Sequence, residues 1–140
     1  MNDKKLLGDS GEHYAMSMLG FNGILCSKLP DNWKHYDLIV QRDNLLERVS
    51  VKTRSESPSF GSGSWFRFEF TGEYEWVIFV LKFHSGEIRS WIIPLEIAVR
   101  NSSATSKTQE RSERRTISWG KLEQPALIKY LNNWKLLRRD

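Results

Sequence analysis

The chain has a single cysteine, Cys26, among its 140 residues. One thiol cannot form an intramolecular disulfide, which excludes the disulfide-stabilised scaffolds typical of small secreted domains. The sequence also lacks a secretory signal and any apolar run long enough to span a bilayer. It has neither a metal-binding Cys/His cluster nor a glycine-rich phosphate loop. We therefore expect a cytoplasmic protein without membrane contact and without a small-molecule cofactor.

What is present is the composition of a globular protein, with 39% hydrophobic, 12% aromatic and 27% charged residues. A chain of this length can bury roughly two-thirds of its unfolded surface, which is sufficient for one core. We predict a single domain over residues 1–140, with its core at about 8–99. A homodimer is compatible with this composition.

Basic residues are concentrated towards the end of the sequence. Residues 101–140 hold nine Lys/Arg and four Asp/Glu, a net charge of +5 within a chain whose net charge is +4. A basic segment suits a phosphate-binding surface, although a solvated tail has the same composition. The residues that we expect to contact nucleic acid are Lys34, His35, Arg54, Arg114, Arg115, Arg138 and Arg139.

Hydrophobic periodicity predicts a mixed α/β order. A helical stripe predicts a first helix over 8–20, with Glu12 at the edge of the stripe. Strands are predicted at 24–27, 36–41, 45–53, 65–70, 76–81 and 88–93, the second and third forming an antiparallel hairpin and the fourth belonging to an aromatic hairpin. Pro94 is suited to begin a short helix. These elements predict one α/β domain with a mixed sheet flanked by helices.

The last forty residues have weaker signals. Residues 101–115 are polar and without period, which predicts an exposed basic loop. A short strand is predicted at 116–119. Apolar residues at helical spacing then predict one amphipathic helix over about 125–137.

A polar constellation stands out against this pattern. Asp37 is an isolated acid in an apolar stretch, which is a costly placement unless the carboxylate has a partner. Lys52 lies on the following strand, and Glu12 lies on the first helix. Carboxylates and a lysine can support phosphodiester hydrolysis around a divalent cation. An Asp37–Lys52 ion pair without metal, or an Asp37 carboxylate bonded to backbone, would produce the same sequence pattern.

The segments Gly11-Glu12, Tyr36-Asp37 and Ser50-Val51-Lys52-Thr53 resemble the PD-(D/E)xK nuclease superfamily, whose fold is restriction-endonuclease-like. The resemblance is to its small bacterial and archaeal members. It implies that Asp37 is the principal ligand of Mg²⁺ or Mn²⁺ and that the Val51 carbonyl is a second ligand. It also implies that Lys52 is the catalytic lysine, that Glu12 is an accessory acid, and that the substrate is DNA.

The sequence departs from that pattern at two positions. Tyr36 stands where the family usually has proline, and Ser50 stands where it has a second acid or, in some members, a glutamine. A neutral hydroxyl is a weaker Mg²⁺ ligand than a carboxylate. We therefore expect a weakly active nuclease, unless Glu12 or Glu69 supplies the missing charge. A non-catalytic nucleic-acid-binding relative and an immunity-type interaction protein are the alternatives.

Overall fold

The computed structural model describes residues 3–33, 35–58, 61, 64–70, 73–104 and 113–138. Lys34 and Arg139, both predicted to contact nucleic acid, lie outside the described residues, as does the middle of the 101–115 segment. The helices are α1 Asp3–Phe21, α2 Leu95–Arg100, α3 Trp119–Leu122, α4 Pro125–Ile128 and a C-terminal 3₁₀ helix Trp134–Leu137. The strands are β1 Cys26–Lys28, β2 Leu38–Arg42, β3 Leu45–Ser55, β4 Trp65–Glu69, β5 Trp76–Lys82, β6 Ile88–Pro94, β7 Ser103–Ala104 and β8 Arg114–Ser118.

Five strands form the main sheet in the order β1-β2-β3-β5-β6. Strands β3 and β5 are parallel and the other neighbours are antiparallel, so the sheet is mixed, as predicted. The predicted hairpin joins β2 to β3, and Asp43 adopts φ 53° in its turn, a conformation that Asp tolerates better than most residues. Strand β5 is buried over six of its seven residues, which explains its continuous apolar sequence.

The prediction of an aromatic hairpin is wrong. Strand β4 pairs with β8, not with β5, and belongs to a separate three-stranded sheet of order β4-β8-β7. The alternation predicted along β4 is present, because Phe66 and Phe68 are buried and the residues between them are exposed. The predicted loop 101–115 is likewise not a loop at its ends, since it contains all of β7 and the first residues of β8.

The two faces of the main sheet carry different cores. On one face, α1 and the C-terminal 3₁₀ helix pack on a cluster that includes Ala15, Leu19 and Trp134. On the other face, the small sheet and helices α2 to α4 pack on a cluster that includes Phe66 and Phe79. The main sheet is therefore the middle layer, and its strand ends are where residues from both faces can meet.

The prediction of one continuous C-terminal helix over about 125–137 is wrong. Helix α4 ends at Ile128, Leu131 forms an isolated bridge with Trp91 of β6, and Asn132 adopts φ 52°. The Asn132 side-chain oxygen accepts a hydrogen bond from the Ser90 N–H. The segment thus passes around edge strand β6 from one core to the other. A single straight helix could not pack on both faces of the main sheet, although the apolar residues of this segment have helical spacing.

Among the described residues, no helix is both long enough and apolar enough to cross a membrane.

Candidate active site

Asp37 lies immediately before β2, at the end of the main sheet. Its carboxylate accepts a hydrogen bond from the Val51 N–H at 2.7 Å, and its own N–H donates to the Val49 carbonyl at 2.9 Å. Burial raises the pKa of Asp37, while the Val51 N–H and the charges of Lys52 and Lys28 act to lower it. Desolvation prevails, so the protein groups around Asp37 compensate its negative charge only in part.

Lys52 lies on the same face of the main sheet as Asp37. Leu38 and Val49 are register partners and both belong to the core beneath α1. Because strand side chains alternate, Asp37 and Lys52 both point to the opposite face. Within the described part of the chain, no ion pair within 4.0 Å joins them, so the interpretation as a simple ion pair is wrong. The alternative, an Asp37 carboxylate hydrogen-bonded to backbone, agrees with the bond that the carboxylate accepts from the Val51 N–H.

Glu12 reaches the same place from α1. A small cavity of about 140 Å³ is lined by Lys5, Asp9, Glu12, Leu29, Pro30, Asp31 and Asp37. The pKa of Glu12 is raised, first by burial and then by the negative charge of Asp37. Two carboxylates that repel each other beside one cavity favour a shared cation.

Two lysines that the sequence did not single out lie at this cavity or beside it: Lys5 lines it, and Lys28 pairs with two of the acids that do. The Lys28 ammonium lies 3.5 Å from the Glu12 carboxylate and 2.7 Å from that of Asp31. Lys5 in turn pairs with Asp9 and Asp31. Lys28 is on β1 opposite Leu38, so only the strand register could have placed it beside Asp37.

Helix α1 approaches β3 closely beside Glu12. At Gly11 a Cβ would overlap the Thr53 hydroxyl oxygen and would lie 2.8 Å from the Thr53 Cβ. Glycine is therefore required at this contact, and the next residue along the helix is Glu12. The Gly-Glu pair in the sequence thus has a physical reason: the glycine permits the approach that brings the glutamate to the cavity.

The donor set at this strand end fits a hard divalent cation. The N–H and C=O of one strand residue point to the same side, so the Val51 carbonyl points towards the edge where Asp37 accepts the Val51 N–H. Among the residues described, no group of three or more His, Cys, Asp and Glu side chains is arranged to hold a metal ion. Two carboxylates and one carbonyl are nevertheless a sufficient protein contribution for Mg²⁺, which keeps several waters.

Ser50 lies on the Asp37 face but is only 2% exposed. Its hydroxyl lies beside Tyr74, whose own hydroxyl donates to the Glu69 carbonyl. Ser50 is therefore a buried residue, and it is not among the residues that line the cavity. Its partner Tyr74 was missed, because nothing in the sequence links positions 50 and 74.

Glu69 is not the missing acid. Its side chain lies on the outer face of β4, where it is 3.8 Å from the Arg114 guanidinium. The alternative in which Glu69 compensates for Ser50 is wrong, because its neighbours Phe66 and Phe68 occupy the face that points to the main sheet.

The residues predicted to contact nucleic acid do not form one surface. Arg54, Arg114 and His35 are exposed, and Arg54 is beside β4, where its guanidinium donates to the Trp65 carbonyl at 3.2 Å. Arg115 points inwards instead, half-buried, with its guanidinium 5.1 Å from the Phe70 ring centre. Arg138 follows the 3₁₀ helix, which packs on the opposite face of the main sheet. The basic residues of the last forty positions therefore lie on different sides of the molecule and do not form one surface.

Comparison with known proteins gives the fold. No protein-family model matches the chain, and no curated protein matches it. Among solved structures, it is similar to the bacterial homing endonuclease I-Ssp6803I, with a TM-score of 0.63 and 19% identity over 98% of this chain and 92% of that one. It is also similar to Hjc, a Holliday junction resolvase from the archaeon Archaeoglobus fulgidus, with a TM-score of 0.55 and 11% identity over 93% of this chain and 94% of that one.

Both of those structures are restriction-endonuclease-like. The similarity spans nearly the whole of each chain, so it includes the main sheet, α1 and the strand end that carries Asp37. At these identities the likeness concerns the backbone arrangement. The chain has the restriction-endonuclease-like fold.

Proposed function

We propose that the protein hydrolyses phosphodiester bonds in DNA with the help of Mg²⁺ or Mn²⁺, at a low rate. The observation that carries this proposal is that Asp37 and Glu12 line one small cavity, where the Asp37 carboxylate accepts a hydrogen bond from the Val51 N–H, next to Lys52 in the chain. The names of the two structural neighbours, a homing endonuclease and a Holliday junction resolvase, support a nuclease-like role.

The proposed roles follow from the chemistry of each group. Asp37, Glu12 and the Val51 carbonyl would hold the cation, which when bound supplies an activated water and neutralises charge on the phosphate. The Lys52 ammonium has three donors and no acceptor, so it would stabilise negative charge that develops on the phosphate oxygens. Within the described residues Lys52 has no ion pair or hydrogen bond that would hold it away from a substrate.

A second candidate is a DNA-binding protein without catalysis, and Ser50 favours it. The buried position next to Val51 holds the Ser50 hydroxyl, beside Tyr74, in place of a carboxylate. One fewer charged ligand lowers the affinity for Mg²⁺ at physiological concentrations.

Cleavage assays separate the two candidates. Supercoiled plasmid and a four-way DNA junction would be incubated with Mg²⁺ or Mn²⁺ and the wild type, Asp37→Ala, Lys52→Ala or Lys135→Ala. Lys135 is an exposed lysine on the opposite face of the main sheet, so it controls for the loss of one charge. We expect wild type and Lys135→Ala to cleave alike and the other two to lose at least about 100-fold. DNA binding without cleavage in all four proteins would select the second candidate.

A further inference from the structure

The outer face of the small sheet has a different character from its inner face. Inwards it contributes Phe66, Phe68 and Ile117 to the core. Outwards it displays only one large apolar side chain, Trp65, among polar and charged neighbours. In register across β4 and β8, the outward pairs are Trp65 with Ser118, Arg67 with Thr116, and Glu69 with Arg114.

Basic residues surround this face. Arg67 lies at its centre, Arg114 at one end, and Arg54, Arg100 and Lys121 at the other. Two of these cations are paired with carboxylates, Arg114 with Glu69 at 3.8 Å and Arg100 with Glu96 at 3.7 Å. Within the described residues Arg67 has no ion pair and no side-chain hydrogen bond, and it is exposed. A central arginine with free donors on a net positive face is complementary to nucleic acid.

A cavity continues this face at its Trp65 end. Its volume is about 280 Å³, and it is lined by Trp65, Arg100, Asn101, Ser102, Ser103, Thr116, Ile117, Ser118 and Lys121. Two cations with several hydroxyl and amide groups form a set of donors suited to a phosphate group.

The face is also connected to the candidate active site. Arg54 is two residues beyond Lys52 on β3, and its guanidinium donates to the Trp65 carbonyl at 3.2 Å. Arg54 therefore links the Trp65 end of β4 to the strand that carries Lys52.

From these observations we propose that the outer face of the β4–β8 pair, which β7 extends by only two residues, forms a DNA-reading ribbon that enters the major groove of double-stranded DNA. The major groove is about 12 Å wide and admits a two-stranded β-ribbon. Arg67 contacts base edges from the centre of the ribbon, where an arginine can bond to guanine with two donors. Arg100 and Lys121 hold a backbone phosphate at the end. This inference rests on the proposed DNA substrate and adds how the duplex is held.

Binding without cleavage tests the inference. A fluorescein-labelled duplex of mixed sequence would be titrated in EDTA, with anisotropy as the readout, at several salt concentrations. The proteins are wild type, Arg67→Ala, Arg67→Gln, the double variant Arg100→Ala/Lys121→Ala, and Lys135→Ala as the matched control on the far face. Thermal unfolding establishes that each variant is folded; Arg67, Arg100 and Lys135 are exposed and Lys121 is half-buried.

We expect Lys135→Ala to bind within about twofold of wild type and both Arg67 variants to bind about 5- to 100-fold more weakly. The double variant should reduce the log–log salt slope by about 1.8, since each phosphate contact contributes about 0.9. Arg67 variants equal to Lys135→Ala, tighter binding of a single strand than of the duplex, or no duplex binding by wild type would overturn the ribbon. The anisotropy titration contains no metal, so its result for the Arg67 variants is independent of the cleavage assays. If wild type cleaves DNA but the Arg67 variants bind it normally, the proposed nuclease function stands and the ribbon is contradicted.

Discussion

Gly11 of α1 contacts Thr53 of β3 so closely that a Cβ at position 11 would lie 2.8 Å from the Thr53 Cβ and 2.9 Å from its Cγ2. Thr53 follows Lys52, and Glu12 follows Gly11. The contact therefore fixes the separation between the helix and strand that carry two of the proposed active-site residues. The Thr53 hydroxyl oxygen is buried there and, in the described structure, has no hydrogen-bond partner.

Replacing Gly11 with alanine should destabilise the protein. The added methyl group has no space, so either the helix or Thr53 must move. Overpacking of this kind typically lowers the free energy of unfolding by about 1–3 kcal/mol. Urea unfolding would measure this change. Gly8→Ala is the matched control on the same helix, because no atom lies within 4 Å of a Cβ there, and alanine should stabilise the helix by about 0.5–1 kcal/mol. Equal stability changes for the two variants would contradict the close contact.

Replacing Ser50 with glutamate should give a less stable protein that responds more strongly to metal. Position 50 is buried beside Tyr74, so the longer side chain should cost about 1–3 kcal/mol through overpacking. If the carboxylate joins the ligands around Asp37, Mg²⁺ should raise the melting temperature of Ser50→Glu more than that of wild type. Cleavage of plasmid should increase in the same variant.

Ser50→Gln is the control for this prediction. Glutamine has the length of glutamate without its charge, so it should reproduce the destabilisation without the larger response to Mg²⁺. A glutamine variant with the same response would show that added volume, not added charge, changes the metal affinity.

Acidity should stabilise the metal-free protein through Glu12 and Asp37. Both pKa values are raised above the ordinary values of 4.5 and 3.8, in each case mainly by burial. A carboxyl group of this kind binds its proton more tightly in the folded state, so its contribution to stability is present at low pH. That contribution is lost as the pH rises from about 4 through the raised pKa values.

Glu12→Gln removes one of these groups and tests the sign. The variant should be more stable than wild type at pH 7, with the difference shrinking as the pH approaches 4, because wild-type Glu12 is then protonated. Urea unfolding at several pH values measures this, and Glu96→Gln, at an exposed helix position, is the control. A Glu12→Gln protein that is less stable than wild type at pH 7 would mean that the Lys28 ion pair outweighs desolvation.

Much of the main sheet follows from sequence alone. Strand β5 is apolar over its first six residues because these are buried between two strands and two cores, and the turn at Asp43 joins two patterned strands. The sequence could not reveal that β4 pairs with β8, since Trp65 and Ser118 are 53 positions apart and alternation does not specify a partner. It also could not reveal the passage around β6, because the apolar residues of that segment have helical spacing while Asn132 bonds to Ser90.

The sequence was sufficient to single out candidate residues of the site, but not the residues that surround them. Asp37 could be singled out because an isolated acid in an apolar stretch requires a partner. Lys28 and Tyr74 could not, because each reaches the site through strand pairing or packing between distant segments. The inward position of Arg115 was likewise hidden, since charge counts do not distinguish the two faces of a strand.

Calorimetric titration with Mn²⁺ and Mg²⁺ tests the central claim most directly, which is that Asp37 and Glu12 hold a divalent cation. Wild type, Asp37→Ala and Glu12→Gln would be compared, with Glu96→Gln as a control for the loss of one negative charge. We predict a saturable binding event in wild type and Glu96→Gln, at least about tenfold weaker binding in Glu12→Gln, and none in a folded Asp37→Ala. The same affinity in wild type and Asp37→Ala would contradict the account.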